Sequence, residues 1–443
     1  MKQLLVSASQ TRRPGKRRVP ASVSLRVGPL GFLLTGFTWL GASFLLGIAL
    51  IIGLIHGTPL PVWLKPMHVH GALVGGILQL AIGGLALSLD RSSGASAQSR
   101  SSLFFALNGA TAALLFSFWL KNMTVAGLAG LVLAGAVLSL TKPAWIHFGK
   151  AFPPPAGAGW MYRIAWAALL AGLAAGVAMA FRLTDGYYAH ARLAHIHLIV
   201  LGCFTVASVV TLHLLVPVLL WKPSTEGLMV RYALWSLPAG FSILLGAFLM
   251  SALWVEIVVG CVLVAGIALC TAHLIRTWLR AGSPGTAATD HLLIGAFFLG
   301  LASAAGLAMG ANYLTTPPLL PIGSLHLVAY THLAFIGFVT QVIFGVLTCV
   351  VPDVLAVARV QNHAKQAAYR GQLEEIMNRW RTVQLAGMSL GTMALSVLAS
   401  LTWSQPLGSL GVQSTVWIAA GLLLASLTLF AAKLAWAVGL RPS

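Results

Sequence analysis

The chain alternates between long apolar runs and short polar breaks. Each run is long enough to cross the roughly 30 Å hydrocarbon core of a bilayer as a helix, and none shows the strict apolar–polar alternation of barrel strands. Because backbone groups in hydrocarbon must be hydrogen-bonded within their own segment, this pattern predicts an all-α integral membrane protein. Twelve transmembrane helices are predicted, at 28–55, 66–89, 101–120, 123–141, 161–182, 193–219, 228–251, 254–278, 291–312, 326–351, 383–402 and 415–437.

Three of the predicted helices carry copies of one sequence pattern. The copies align on His70, His197 and His332, in the second, sixth and tenth helices, and these anchors are about 130 residues apart. We therefore predict three pseudo-symmetric four-helix arcs, 28–150, 151–285 and 286–443, after a basic tail at 1–27. The residues that recur at equal offsets are Gly75, Gly202, Gly337, Gln79, Gln341, Gly83, Gly345, Thr205, Thr340, Pro217 and Pro352.

Composition and charge agree with a membrane protein. Hydrophobic residues make up 58% and charged residues 8% of the chain, whereas soluble domains carry about a quarter charged residues. The net charge of +19 does not indicate nucleic-acid binding, because of the 27 Lys and Arg residues only Lys65, Lys121, Arg182 and Arg192 fall outside when the N-terminus is placed inside. This asymmetry predicts a multi-pass protein of a bacterial cytoplasmic membrane with both termini in the cytoplasm. The lipid bilayer is the expected partner.

Six side chains at comparable depth mark the outer ends of the second, sixth and tenth helices. They are the anchors and the residues two positions before them: His68, His70, His195, His197, Tyr330 and His332. Ionisable residues inside a membrane are costly and indicate function by default. Residues i and i+2 of a helix point about 200° apart, so the two histidines of one helix face different neighbouring spaces. They are not expected to bind one metal ion together.

Imidazole is a natural axial ligand of heme iron, and a b-type heme held by two histidines needs no covalent motif. The five histidines among these six residues are therefore candidate ligands of one or more b hemes, with copper as an alternative metal. Small residues beside them either admit a flat macrocycle or allow close helix packing; these are Gly71, Gly75, Gly76, Gly202 and Gly337.

This arrangement resembles the central subunit of heme–copper oxidases and nitric oxide reductases, over residues 31–436. The resemblance implies a fold like subunit I of those enzymes and a low-spin heme b held by His332 with His68 or His70. It puts Tyr330 where the family has the ligand of a second heme. The segment WLKPMHVHGALVGGILQLAIGGLAL is also similar to the divergent NnrS family, which is linked to heme, copper and nitric oxide stress.

Two departures from that family limit what the resemblance implies. The predicted seventh helix lacks the family's His-His copper ligands, and all eight Asp and Glu residues lie in loops or at the ends of predicted helices. Because proton transfer through hydrocarbon needs titratable relays, proton pumping is not expected. Oxidoreductase activity of the oxidase or nitric oxide reductase type is compatible with the remaining residues, and no catalytic residue is assigned.

Our leading hypothesis is a heme b-binding membrane protein that functions in electron transfer or in redox chemistry related to NO or O₂. Its expected partners are a diatomic gas or a membrane or periplasmic redox protein. Arg182 and Arg192, which flank the start of the sixth helix, are expected partners of heme propionates unless they simply lie at the interface. The first alternative is a protein of the same fold that handles or transports copper, and the second is a structural partner without chemistry. Candidate copper ligands are Met67, His68, His70, His190, His195 and His197.

Overall fold

The computed structural model describes residues 28–93, 97–150, 157–221 and 228–442. Every regular element in these ranges is helical, and twelve helices there are long and apolar enough to cross a membrane. The predicted all-α class and the number of membrane-spanning helices are thereby confirmed. The predicted basic tail, 1–27, lies outside the described residues.

Besides two short 3-10 helices, Asp185–Tyr187 and Asn312–Leu314, thirteen longer helices follow one another in these ranges, and three of them contain an internal π-helical segment. In chain order they are α1 (Pro29–Ile55), α2 (Leu64–His70, π-helical Gly71–Leu78 and Gln79–Ser93), α3 (Ala97–Trp119), α4 (Met123–Lys150), α5 (Ala158–Ala180), α6 (Tyr188–His197, π-helical Leu198–Thr205 and Val206–Leu219), α7 (Leu228–Leu249), α8 (Leu253–Arg280), α9 (Ala287–Ala311), α10 (Ser324–His332, π-helical Leu333–Thr340 and Gln341–Arg359), α11 (His363–Asn378), α12 (Arg381–Leu401) and α13 (Leu410–Gly439).

The three helices that carry the sequence repeat are the most enclosed of the twelve. In the most apolar stretch of α2, α6 and α10, 56–61% of residues are buried, against 17–44% in the other spanning helices of the described part. The first helix of each group of four packs along the second, α1 on α2, α5 on α6 and α9 on α10. Consecutive spanning helices contact each other, and α13 returns to α1. The repeated helices therefore lie inside the bundle.

Helix α4 is longer than its hydropathy predicts. The predicted span ends at 141, but the helix continues to Lys150. Pro143 lies inside the helix; proline removes one backbone hydrogen bond and kinks a helix without necessarily ending it. The extension is held by Arg163 of α5, whose Nη2 donates to the carbonyl of Trp145 at 3.0 Å.

The polar segment between α10 and α12 forms the surface helix α11. The Asn362 side chain caps this helix by accepting from the backbone N–H of Ala364 at 2.9 Å. Arg370 of α11 pairs with Asp353 of α10 at 2.9 Å and with Glu374 at 2.7 Å. Partial burial alone would lower the pKa of Arg370, but the hydrogen bond to Glu374 and the charge of Asp353 outweigh it and raise this pKa. The pair with Asp353 links α11 to α10, whereas the pair with Glu374 lies within α11.

Candidate functional site

The π-helical segments follow the sequence repeat. Each begins at the residue after an anchor histidine and spans eight residues, after His70 in α2, after His197 in α6 and after His332 in α10. π-Helical turns are rare and occur often at functional sites. The repeat is thus present in the structure as well as in the sequence. In each copy the π-helical segment directly follows the candidate ligands. We call the end of the bundle where these three helices begin the histidine end.

The three anchor histidines have one hydrogen-bonding pattern. The Nδ1 atom lies 2.9 Å from the carbonyl of Pro66 for His70, 2.8 Å from Leu193 for His197, and 2.7 Å from Val328 for His332. Each acceptor is the carbonyl four residues earlier in the same helix. A carbonyl oxygen only accepts, so Nδ1 carries the proton in all three rings.

Consequently, Nε2 of each anchor keeps its lone pair. None of these Nε2 atoms makes a hydrogen bond within the described residues. A backbone carbonyl bound to Nδ1 is a common way for proteins to fix the tautomer and orientation of a metal-binding histidine. All three anchors are therefore set up as nitrogen donors through Nε2.

The histidines two positions before the anchors have a second shared pattern. His68 donates from Nδ1 to the carbonyl of Ser43 in α1, and His195 donates to the carbonyl of Gly172 in α5, both at 2.7 Å. Here the acceptor belongs to the preceding helix. These two rings are thereby tied to a neighbouring helix, and they too present Nε2 as the free donor atom.

A glycine of the preceding helix lies against each residue of this earlier position. A Cβ atom on Gly47 would lie 2.7 Å from His68 and one on Gly176 would lie 2.9 Å from His195, in both cases from Cε1 of the ring. A Cβ atom on Gly306 would lie 3.0 Å from Tyr330 Cε2. Only glycine leaves these rings their observed position. We call the three glycines the cradle glycines.

His68 and His332 face each other between α2 and α10. Their ring centroids are 6.2 Å apart and their planes differ by 10°. Two metal–imidazole bonds of about 2 Å each, with about 1.1 Å from each Nε2 to its ring centre, give a separation of roughly 6.2 Å. The donor set, the tautomers and the centroid spacing of this pair agree with two imidazole ligands of one heme iron, provided that both Nε2 atoms point between the rings.

By the repeat, the combination of α2 and α6 that corresponds to His68 and His332 is His70 and His195. His70 is an anchor like His332, and His195 lies against a cradle glycine as His68 does. The two imidazoles lie within electrostatic range of each other, as do His68 and His332. The residues of the remaining combination, between α6 and α10, are His197 and Tyr330. The expectation that the two histidines of one helix face different spaces agrees with these pairings.

Two anchors also pack against a phenylalanine from the third helix of their group. The ring centroids of His70 and Phe118 are 4.8 Å apart and those of His197 and Phe248 are 4.4 Å apart, with interplanar angles of 49° and 48°. His190 lies beside the second pair, with Nδ1 3.2 Å from the carbonyl of Phe248. These contacts restrict ring rotation and keep the Nε2 direction defined.

The predicted propionate partners lie at the surface. Arg182 pairs with Asp185 at 3.0 Å, and both side chains are more than half exposed. Arg192 is exposed near the start of α6. Neither arginine contacts a candidate histidine through a hydrogen bond in the described part of the chain. Met67, a candidate copper ligand, lies in α2 directly before His68 and is partly buried.

The repeated glycines serve helix packing. Cβ atoms on Gly75, Gly202 and Gly337 would lie within 2.5–2.7 Å of Trp39, Ala168 and Phe298, respectively. A Cβ atom on Gly76 would lie 2.5 Å from Leu40. Side chains of α1, α5 and α9 occupy these surfaces, so of the two alternatives, approach of a macrocycle and close helix packing, the structure favours packing at these four glycines.

A buried polar chain in the third group was not predicted. His291 of α9 donates to the Gln341 side chain, Gln384 of α12 donates to His291 Nε2 at 3.2 Å, and Lys433 of α13 donates to Gln384 Oε1 at 2.6 Å. Lys433 also donates to the carbonyl of Met377 at 3.1 Å and is only 2% exposed. The available signal was a lysine inside the last predicted span, where a charge is costly and needs partners.

Comparison of the chain with models of known protein families and with curated proteins finds no match. No three His, Cys, Asp or Glu side chains converge as a potential metal site within residues 28–93, 97–150, 157–221 and 228–442. The candidate site in this part of the chain is therefore built from ligand pairs.

Proposed function

We propose that this protein is a heme b-binding electron-transfer protein of the membrane, with His68 and His332 as axial ligands of one heme. The observation that carries the proposal is the facing pair of imidazoles, 6.2 Å apart and within 10° of parallel. Two imidazole nitrogen donors would hold a b-type heme without a covalent motif and would leave its iron no open position. When bound, the heme would supply a one-electron couple between ferric and ferrous iron.

The chain's own residues account for the orientation of these ligands. Ser43 fixes the tautomer of His68 from α1, and the carbonyl of Val328 fixes that of His332 within α10. Gly47 leaves room for the His68 ring. Because all three constraints come from helix backbones, the two Nε2 atoms keep their positions when the charge of a bound metal changes. Such preorganisation favours fast electron transfer over ligand exchange.

His70 and His195 are proposed as a second bis-imidazole centre with the same construction. This extends the predicted three-arc arrangement, in which each repeated helix contributes to two neighbouring spaces. The recurring π segments and cradle glycines support three equivalent units. His197 and Tyr330 belong to the third space, where one imidazole could leave an iron position open for NO or O₂.

The proposed orientation puts the histidine end on the outer side of a bacterial cytoplasmic membrane, with both termini in the cytoplasm. Its support is the concentration of Lys and Arg at the opposite side of the predicted topology. Electrons would then be exchanged near the outer surface, with a membrane or periplasmic redox partner. The distant resemblance to heme–copper oxidase subunit I and to NnrS proteins remains part of this proposal.

The test is a reduced-minus-oxidised absorption spectrum, with and without CO, of protein produced with heme available. Wild type is compared with His68→Ala, His332→Ala and the control His326→Ala, since His326 is in α10 but stacks on Trp403 with a 4.8 Å centroid distance. We expect a b-type band that both ligand variants weaken and the control retains. Near-parallel imidazole planes also predict a rhombic low-spin ferric EPR signal.

A CO-induced shift would add a heme with an open iron position. Protein without heme, or ligand variants with the heme content of the wild type, would refute the proposal. Stoichiometric copper in heme-free protein, lost on His68→Ala, would instead favour the copper-handling alternative.

A further inference from the structure

A second facing pair of imidazoles lies far from the histidine end. His213 of α6 and His273 of α8 have ring centroids 5.9 Å apart and planes within 10° of parallel. His213 follows His197 by sixteen residues, roughly 24 Å along the helix axis. The pair is near the ends of both helices, which finish at Leu219 and Arg280. It is therefore separate from the candidate heme ligands.

His213 contains an unexplained buried polar atom. Its Nδ1 donates to the carbonyl of Val209 at 2.9 Å, so Nε2 bears the lone pair. This Nε2 is buried without a hydrogen-bond partner, and the residue is only 2% exposed. Leaving a buried acceptor unpaired costs about 1–3 kcal/mol. The His273 ring lies beside the His213 ring, with its plane nearly parallel.

The spacing of the pair distinguishes an ion from a shared proton. A hydrogen bond between the two imidazoles would bring their nitrogen atoms to about 2.7–3.2 Å, and no such bond forms in the described structure. Two bonds of about 2 Å to one ion, with the distance from nitrogen to ring centre added, give a centroid separation of roughly 6 Å. The observed 5.9 Å agrees with an ion between the rings.

The surroundings favour a monovalent over a divalent ion. Apolar side chains lie beside His213 on its own helix, where Leu212 and Val216 are at most 1% exposed. Zinc normally takes four ligands, and two neutral imidazoles cannot compensate a divalent charge. The exposed Arg276 and Arg280 lie within electrostatic range of His273, and they repel a doubly charged ion more strongly than a singly charged one.

We propose that His213 and His273 bind one Cu(I) ion in two-coordinate geometry. Imidazole is a suitable copper ligand, and the filled d shell of Cu(I) accepts two nearly opposite nitrogen donors. The ion would coordinate the otherwise unpaired Nε2 of His213. The site lies between α6 and α8, which are in contact. It is independent of the proposed heme centres.

The test is an anaerobic competition titration of purified full-length protein with Cu(I) against a chromophoric Cu(I) chelator. Wild type is compared with His213→Gln and His273→Gln, and with the control His147→Gln, a buried histidine near the same end of the bundle. We expect each of the first two variants to lose one bound equivalent and the control to lose none. Heme content is recorded in parallel and is expected to be unchanged.

X-ray absorption of the wild type with one equivalent of Cu(I) gives the second readout. It should show two nitrogen neighbours at about 2 Å. The His273 ring makes no hydrogen bond in the described part of the chain, so His273→Gln should fold even if His213→Gln does not. Equal Cu(I) stoichiometry in wild type and His273→Gln, or a shell of three or four ligands, would overturn the proposal.

Discussion

Replacing Gly47 by alanine tests whether the cradle glycine positions His68. The new Cβ would lie 2.7 Å from Cε1 and 3.1 Å from Nδ1 of the ring, whereas ordinary contacts are 3.4–4 Å. The ring must therefore withdraw by about 0.7 Å, more than the roughly 0.5 Å that a functional constellation tolerates. Such a movement lengthens the 2.7 Å bond to the Ser43 carbonyl towards about 3.4 Å, beyond the range of a good hydrogen bond.

The expected effect on global stability is small, because two terms of opposite sign nearly cancel. Losing the hydrogen bond of His68 costs about 0.5–1.5 kcal/mol. Replacing glycine by alanine inside a helix contributes about 0.8–1 kcal/mol in the other direction. We therefore expect Gly47→Ala to fold with nearly the wild-type melting temperature while the proposed low-spin heme is lost or changes its spectrum.

The assay measures bound heme per protein, the reduced b-type band and the melting temperature. Gly41→Ala is the matched control, since Gly41 is in the same helix and has no neighbour within 4 Å of a new Cβ. This control should keep the spectrum and gain slightly in stability. A wild-type heme spectrum in Gly47→Ala, or the same loss in both variants, would refute the reasoning about the cradle.

Three further predictions concern other parts of the bundle. Gly306→Ala should perturb Tyr330, whose Cε2 would be 3.0 Å from the new Cβ, and should alter any CO-induced spectral shift, while Gly300→Ala should not. Lys433→Met leaves two buried acceptors without their donor and should lower the free energy of unfolding by about 1–3 kcal/mol, measured by thermal denaturation in detergent. Arg370→Gln removes a cation beside Asp353; because the arginine is 38% exposed, solvent screening should limit the loss to about 1 kcal/mol.

Hydropathy was sufficient to predict the twelve spans, because crossing hydrocarbon imposes a length and a composition on each helix. It failed where helix continues beyond the apolar stretch. The helical residues after 141 in α4 include Lys142 and Pro143, and their support comes from Arg163 in another helix. A sequence window that sees only local composition cannot register that contact.

The sequence repeat predicted candidate residues but not how their side chains are arranged. Spacing alone indicated that His68 and His70 face different spaces, and the resemblance left both open as partners of His332. In the structure the ring of His68 is the one that lies beside His332, held by Ser43 and Gly47 of α1. The π segments after the anchors were also unforeseen, since a shift from i→i+4 to i→i+5 bonding changes neither composition nor hydropathy.

The buried polar chain was beyond prediction for a related reason. Its members, His291, Gln341, Gln384 and Lys433, come from four helices spread over more than a hundred residues. In the sequence each is an isolated polar residue in an apolar span. The hydrogen bonds that join them form only when α9, α10, α12 and α13 pack together, and these bonds make a buried lysine tolerable.

In the proposed arrangement, a single substitution makes the three spaces chemically different. Each repeated helix offers its anchor to one neighbour and its earlier residue to the other, so six histidines would give three equivalent bis-imidazole pairs. Tyr330 replaces one of them, and five histidines make at most two such pairs. His197 is then the one anchor whose partner is not an imidazole, although its Nε2 is prepared in the same way by the Leu193 carbonyl. Electron transfer requires iron with both axial positions occupied, whereas gas binding requires one free position. The two activities would thus be divided among the three spaces of one repeated architecture.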